Sequence, residues 1–123
     1  MTEVFKLFLG ADEKRADTPE LRILGDIAAS QGFHLFQDTV DFMSSNYPNT
    51  IIGNMEEVTI RGGYAECCVT AAIDFLLNKG IKVSVDLPNI RCRDSYWDKN
   101  VYSKRARILM EMEGDEELVT FLY

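Results

Sequence analysis

Apolar residues along this chain fall into short blocks divided by turn formers, and two spacings alternate. Val4 to Leu9 reads as a short buried strand, ended by Gly10-Ala11-Asp12. Thr18-Pro19-Glu20 is a helix start, with Thr as N-cap and Pro as the first helical residue. From Glu20 to Ser30, Leu21, Leu24, Ile27 and Ala28 share one helical face, and Gln31-Gly32 stops the run. Phe33 to Phe36 is a second, very short strand, and Val40 to Ser45 gives a helical turn or two before Tyr47-Pro48. The pattern sharpens at Val58-Thr59-Ile60, a β-branched strand that ends at Gly62-Gly63. Cys67 to Asn78 holds no Gly or Pro and predicts a helix closed by Lys79-Gly80. Ile81 to Val85 is the next strand, ended by Asp86-Leu87-Pro88. Tyr102 to Met112 predicts a further helix, and Leu118 to Leu122 a last strand.

Strands that alternate with helices of this length need crossover connections, which are right-handed, so the sheet is expected to be mostly parallel and covered on both faces. The fold class is therefore α/β: a three-layer sandwich with a mostly parallel central sheet, Rossmann-like. No repeat, low-complexity stretch or linker divides the chain, so residues 1–123 form a single domain.

Composition narrows the function classes. Hydrophobic residues make up 46% and charged residues 27%, enough for a real core. Thirteen Lys and Arg stand against 20 Asp and Glu, a net charge of −7. Such a surface repels phosphate backbones and anionic lipid, so neither a nucleic acid nor a membrane is an expected partner. No segment approaches the ~20 apolar residues that span a bilayer, and the apolar run in Met1–Leu9 is too short for a signal peptide. The expectation is a soluble, cytoplasmic protein. The three cysteines agree: they are odd in number, Cys67 and Cys68 are adjacent, and only Cys92 stands apart, which is no disulfide framework. An adjacent pair with one His in the chain is no zinc site either, and no metal or other cofactor is implied.

The chemistry concentrates in Val58 to Pro88, a βαβ unit. In open α/β sheets ligands bind outside the carboxyl ends of the strands. The loop Gly62-Gly63-Tyr64-Ala65-Glu66 lies there, and Cys67-Cys68 open the helix that follows. A thiol at a helix N-terminus feels the positive end of the dipole, which favours the thiolate. The same backbone N–H groups, near Glu66 to Cys68, suit a developing oxyanion. Gly63, Tyr64, Ala65, Glu66 and Cys67 are thus the expected lining of a small-molecule site with Cys68 at its centre. Free cysteine is also among the most buried residue types, and the two neighbours cannot both face one pocket, so at least one of them belongs to the core.

These residues resemble a family pattern. Gly62-Gly63-Tyr64-Ala65-Glu66-Cys67-Cys68-Val69, then Ala72 and Gly80, are similar to the nucleophile region of the isochorismatase-like cysteine hydrolases, which include the nicotinamidases. Gly62, Glu66, Val69 and Gly80 stand at the family's offsets about Cys68, and Lys82 to Leu87 and Tyr102 to Leu122 match its later elements. The resemblance covers the second half of the chain. It implies Cys68 as nucleophile, a small amide or related substrate, Asp12 after the first strand as proton acceptor, and association into a homo-oligomer. The Tyr96-Trp97 loop offers an aromatic contact for such association. The first half departs from the pattern. Asp12 lacks the family's flanking residues, no Lys lies between Arg22 and Lys79 where the family has one, and the chain is shorter by about one βα unit. Lys14 is the nearest cation in sequence to the Asp12 turn. His34 and Asp38 do not have the spacing of the metal site of some nicotinamidases, and His34 reads as a half-buried strand residue. Arg91, Arg93, Tyr96 and Trp97 surround Cys92 past a strand end, as pocket lining or as an anchored loop. Two functions remain open: a cysteine hydrolase, and a module of the same origin that binds a protein or small ligand without catalysis.

Overall fold

In a computed structural model of the chain, residues 4–9, 26–36, 38–45, 57–92 and 100–123 are described. Asp12, Lys14, Arg93, the Thr18-Pro19 helix start and the Tyr96-Trp97 loop lie outside them. The described strands are β1 (Val4–Leu9), β2 (His34–Phe36), β3 (Glu57–Gly62), β4 (Lys82–Asp86) and β5 (Val119–Leu122). They form one sheet in the order β2-β1-β3-β4-β5, and every neighbouring pair is parallel. Helices α1 (Thr39–Ser44), α2 (Thr70–Asn78) and α3 (Val101–Glu111) connect them, and residues 26–30 are also helical. This is the α/β, Rossmann-like sandwich that the alternation of strand and helix signals predicts.

The two faces follow from the period-two alternation of each strand. Phe5, Leu7 and Leu9 of β1 share a face with Val58 and Ile60 of β3, Val83 and Val85 of β4 and Val119 of β5, in register across the sheet. These residues form the main core with Phe42 of α1, Ala72, Ile73 and Leu76 of α2 and Ile108 of α3. Phe8 points the other way and meets Ala28 and Phe33 in a second cluster. Among the described residues, one helical segment therefore covers one face and three helices the other. The chain steps from β1 to β2 in one direction, then returns past β1 to β3. With right-handed connections, that reversal sends the flanking helices to opposite faces and opens a switch point between β1 and β3.

Side chains also fix the helix ends. The Asp38 carboxylate accepts the Asp41 N–H at 2.8 Å, and Asn100 Oδ1 accepts the Tyr102 and Ser103 N–H groups at 3.0 and 3.2 Å. α2 has no side-chain cap, because the chain enters it from a preceding π-helical turn, Ala65–Val69. That turn is the main local departure from the sequence reading, which starts the helix at Cys67. The helical backbone begins two residues earlier and with a wider first turn.

Candidate functional site

β3 runs to Gly62, and Gly62 and Gly63 both have left-handed backbone, with φ +70° and +68°. Neither position has room for a side chain. A Cβ on Gly62 would collide with the Leu9 carbonyl oxygen, and one on Gly63 would lie 2.8 Å from Cys68 Sγ and 3.1 Å from Leu9 Cβ. The ends of β1 and β3 thus approach closely at these glycines, with the thiol of Cys68 against Gly63. The chain after β4 ties the turn in place. The Arg91 N–H donates to the Gly63 carbonyl at 2.9 Å, the Ala65 N–H donates to the Arg91 carbonyl at 2.7 Å, and Tyr64 and Arg91 form a parallel bridge.

The π-helical turn sets the orientation of the thiol. The Val69 N–H reaches five residues back to the Tyr64 carbonyl, at 3.1 Å, and the Cys67 N–H donates to the same oxygen at 3.1 Å. The widened turn lets the Cys68 side chain fold back on its own start, where the Tyr64 N–H donates to Sγ at 3.0 Å. Single π-turns inside helices are rare and often mark functional positions. Thr39, at the start of α1 and buried, donates its hydroxyl to the Cys68 carbonyl, and the Thr70 hydroxyl donates to the Cys67 carbonyl at 2.9 Å. The three cysteines separate cleanly: Cys67 is exposed, Cys68 is half-buried and touches the core, and Cys92 is fully buried.

Two expectations about this turn change. The first concerns the thiolate, which the helix dipole was expected to favour. Burial pushes the Cys68 thiol above its ordinary value; the Tyr64 N–H opposes that shift, the neighbouring Cys67 adds to it, and the Arg91 guanidinium opposes it. Desolvation outweighs the local donors, so the resting group at neutral pH is the thiol. The second concerns the amide donors. They were expected near Glu66 to Cys68; the Cys67 N–H is spent inside the turn, and the N–H groups that act on the sulfur are those of Tyr64 and of Cys68 itself.

The other expected lining residues divide by role. Gly63 and Tyr64 contact or donate to the sulfur, and Ala65 is fully buried. Glu66 turns toward α3, where its carboxylate accepts from the Arg107 guanidinium at 2.9 Å, so it anchors the turn. Asp12, the expected proton acceptor, lies outside the described residues; Leu9, three residues before it, borders Gly63.

Cations gather at this end of the fold. Arg91 is 4% exposed, with its guanidinium 5.2 Å from the centre of the Tyr64 ring. Lys104 is 3% exposed and donates its Nζ to the Leu87 carbonyl at 3.0 Å, just past β4. Lys104 and Arg107 were not singled out from the sequence. The signal was the spacing of Val101, Lys104 and Ile108, which puts a lysine on the buried stripe of an amphipathic helix. Thr39 gave no signal beyond its place before a short helix. On the opposite face, Arg61 pairs with Asp86 at 2.6 Å and lies 4.5 Å from the Phe33 ring centre.

His34 departs from the half-buried reading: it lies at an edge of the described sheet, is exposed, and stacks on Phe5 with ring centres 4.7 Å apart. Among the described residues no group of three His, Cys, Asp or Glu could hold a metal ion, and no helix is long and apolar enough to cross a membrane. A groove of about 470 Å³ lies at the far end of the sheet, lined by Asp74, Asn78, Glu113 and Asp115 with Leu77 and Leu118. It is broad but holds no thiol and lies away from the switch point. No protein-family model matches the chain, and no curated protein matches it significantly.

Proposed function

We propose that this protein is a cysteine-dependent hydrolase of a small amide or related substrate, of isochorismatase-like type. The observation that carries the reading is the seat of Cys68: its sulfur lies at the β1/β3 switch point, against Gly63, and accepts the Tyr64 N–H. In the reaction, a base takes the Cys68 proton and the sulfur attacks the acyl carbon. The C–N bond breaks, the proton leaves with the amine, and water cleaves the thioester to acid and free thiol. Asp12 is the proposed base, on the resemblance and its place after β1. The raised thiol makes that base necessary, because little thiolate is present at neutral pH without it. On the same reading the protein is cytoplasmic and forms homo-oligomers.

The second reading, a binding module of the same origin without catalysis, is favoured by the raised thiol and by the absence of any Lys between Arg22 and Lys79. One assay separates the two. Ammonia release is followed over a panel of small primary amides, nicotinamide included, for the wild type, Cys68→Ala and Asp12→Asn. Turnover lost by a factor of about 10³ or more in Cys68→Ala, and strongly reduced in Asp12→Asn, is the expected result. No release above the Cys68→Ala background on any amide favours the binding module.

A further inference from the structure

A hydrolase built on a buried thiol needs a cation to hold the thiolate once its proton has gone, and the stretch between Arg22 and Lys79 supplies no lysine. The groups around the turn can be taken in order. Cys67 beside it is exposed. Glu66 is engaged with Arg107 of α3, so that pair brings no net charge. Lys104 of α3 directs its ammonium to the Leu87 carbonyl. α1 contributes the Thr39 hydroxyl, which goes to the Cys68 carbonyl, while the Asp38 carboxylate caps the helix. The chain after β4 contributes Arg91.

Arg91 is coupled to the sulfur by a short, fixed path. Its backbone brackets the turn on both sides, donating to Gly63 and accepting from Ala65. Its guanidinium lies over the ring of Tyr64, the residue whose own N–H is donated to Cys68 Sγ. The group is 4% exposed, so little water intervenes to screen it.

We propose that Arg91 is the positioning residue that stabilises the Cys68 thiolate, in place of a lysine from the sheet. The role deepens the hydrolase reading and rests on it for its catalytic meaning. The bias itself is a property of the resting protein. Arg91 takes no proton in the step: the thiol proton goes to the base, and the sulfur anion left behind lies in the field of the Arg91 guanidinium. The direction of its effect agrees, since the guanidinium lowers the thiol against the larger opposing effect of burial.

Site-resolved alkylation by iodoacetamide, read by mass spectrometry from about pH 6 to 10.5, measures the Cys68 midpoint without any need for turnover. In Arg91→Met that midpoint should rise by about one unit, a roughly tenfold slower reaction at a fixed pH below it, and Arg91→Lys should restore most of the difference. A purely structural role would lower the melting temperature of Arg91→Met and leave the Cys68 midpoint where the wild type has it, which overturns the proposal. Where Arg91→Met does not fold, the intact protein answers. The Arg91 Nε–H resonance should shift along the Cys68 titration in the wild type and stay flat in Cys68→Ser. A flat Arg91 signal in the wild type also overturns it. A moving midpoint without ammonia release leaves Arg91 in place and removes the hydrolase.

Discussion

At the carboxyl end of the sheet the sulfur of Cys68 accepts the Tyr64 N–H across Gly63; at the other end the Asp74 carboxylate accepts the Glu113 and Gly114 N–H groups at 2.9 to 3.1 Å. Both ends of the helical run 65–78 are therefore held by a side chain that receives backbone hydrogen bonds, and both turns pass a glycine with no space for a Cβ. The difference lies in what occupies that space. Beside Gly63 it is a nucleophilic sulfur, the Val69 side chain and the body of β1, on a left-handed backbone. Beside Gly114 it is mainly the end of the flexible Leu77 side chain, at 2.6 Å, on ordinary backbone. The acceptor at the amino end of the sheet is a carboxylate, half-buried. The acceptor at the switch point is a thiol that burial keeps neutral. One turn is a staple, while the other stores a group whose reactive form the fold resists until a base and a cation act on it.

The largest contrast should appear on adding a methyl group to each glycine. Gly63→Ala combines left-handed strain of about 1–2 kcal/mol with overpacking of about 1–3 kcal/mol against sulfur, Val69 and Leu9. Gly114→Ala meets the movable end of Leu77 and, less closely, the Asp74 carboxylate, and should cost about 1 kcal/mol. Urea denaturation of both variants checks this, and equal losses would mean that the two turns are packed alike. Next comes the acceptor itself. Asp74→Ala should lower stability by about 1–2 kcal/mol through its lost charge-assisted hydrogen bonds, yet leave the alkylation rate of Cys68 within about twofold. Cys68→Ala should do the reverse, removing the thiol chemistry at a stability cost of about 1 kcal/mol. If Asp74→Ala slowed Cys68 alkylation severalfold, the two ends would be one coupled unit.

The smallest effect concerns alkali. The folded protein holds the Cys68 proton more tightly than the unfolded chain does. The native state therefore binds more protons between the unfolded and folded thiol values, and stability falls with rising pH across that window. Below the ordinary cysteine range this contribution is fully present, and it is lost as pH climbs toward the raised value. Melting temperatures at pH 7.5 and at about pH 9.5 should thus show a larger alkaline drop in the wild type than in Cys68→Ala. An identical drop in both would mean that burial does not hold the thiol neutral, and the contrast with Asp74 would lose its electrostatic half.

The unit from Val58 to Pro88 is legible in the chain alone. Val58 and Ile60, Val83 and Val85, and the helix without Gly or Pro between them are local signals, because period and turn chemistry act over a few residues. The paired glycines before two cysteines likewise announced a tight turn at the carboxyl end of a strand, and Gly62 and Gly63 are both left-handed. The state of that turn comes from packing between distant segments. The π-helical bulge, the Tyr64 N–H on sulfur and the neutral thiol depend on Leu9, Thr39 and Arg91, which lie 59, 29 and 23 residues from Cys68 in the sequence. The reading of the helix dipole failed for the same reason: a dipole can be read from the chain, but desolvation is set by everything packed around the group. The sequence leaves Arg91 open between pocket lining and an anchored loop and gives Lys104 no role, because each lies in a polar stretch. Burial of a cation is decided by which elements close over it, here the turn after β4 and the inner stripe of α3.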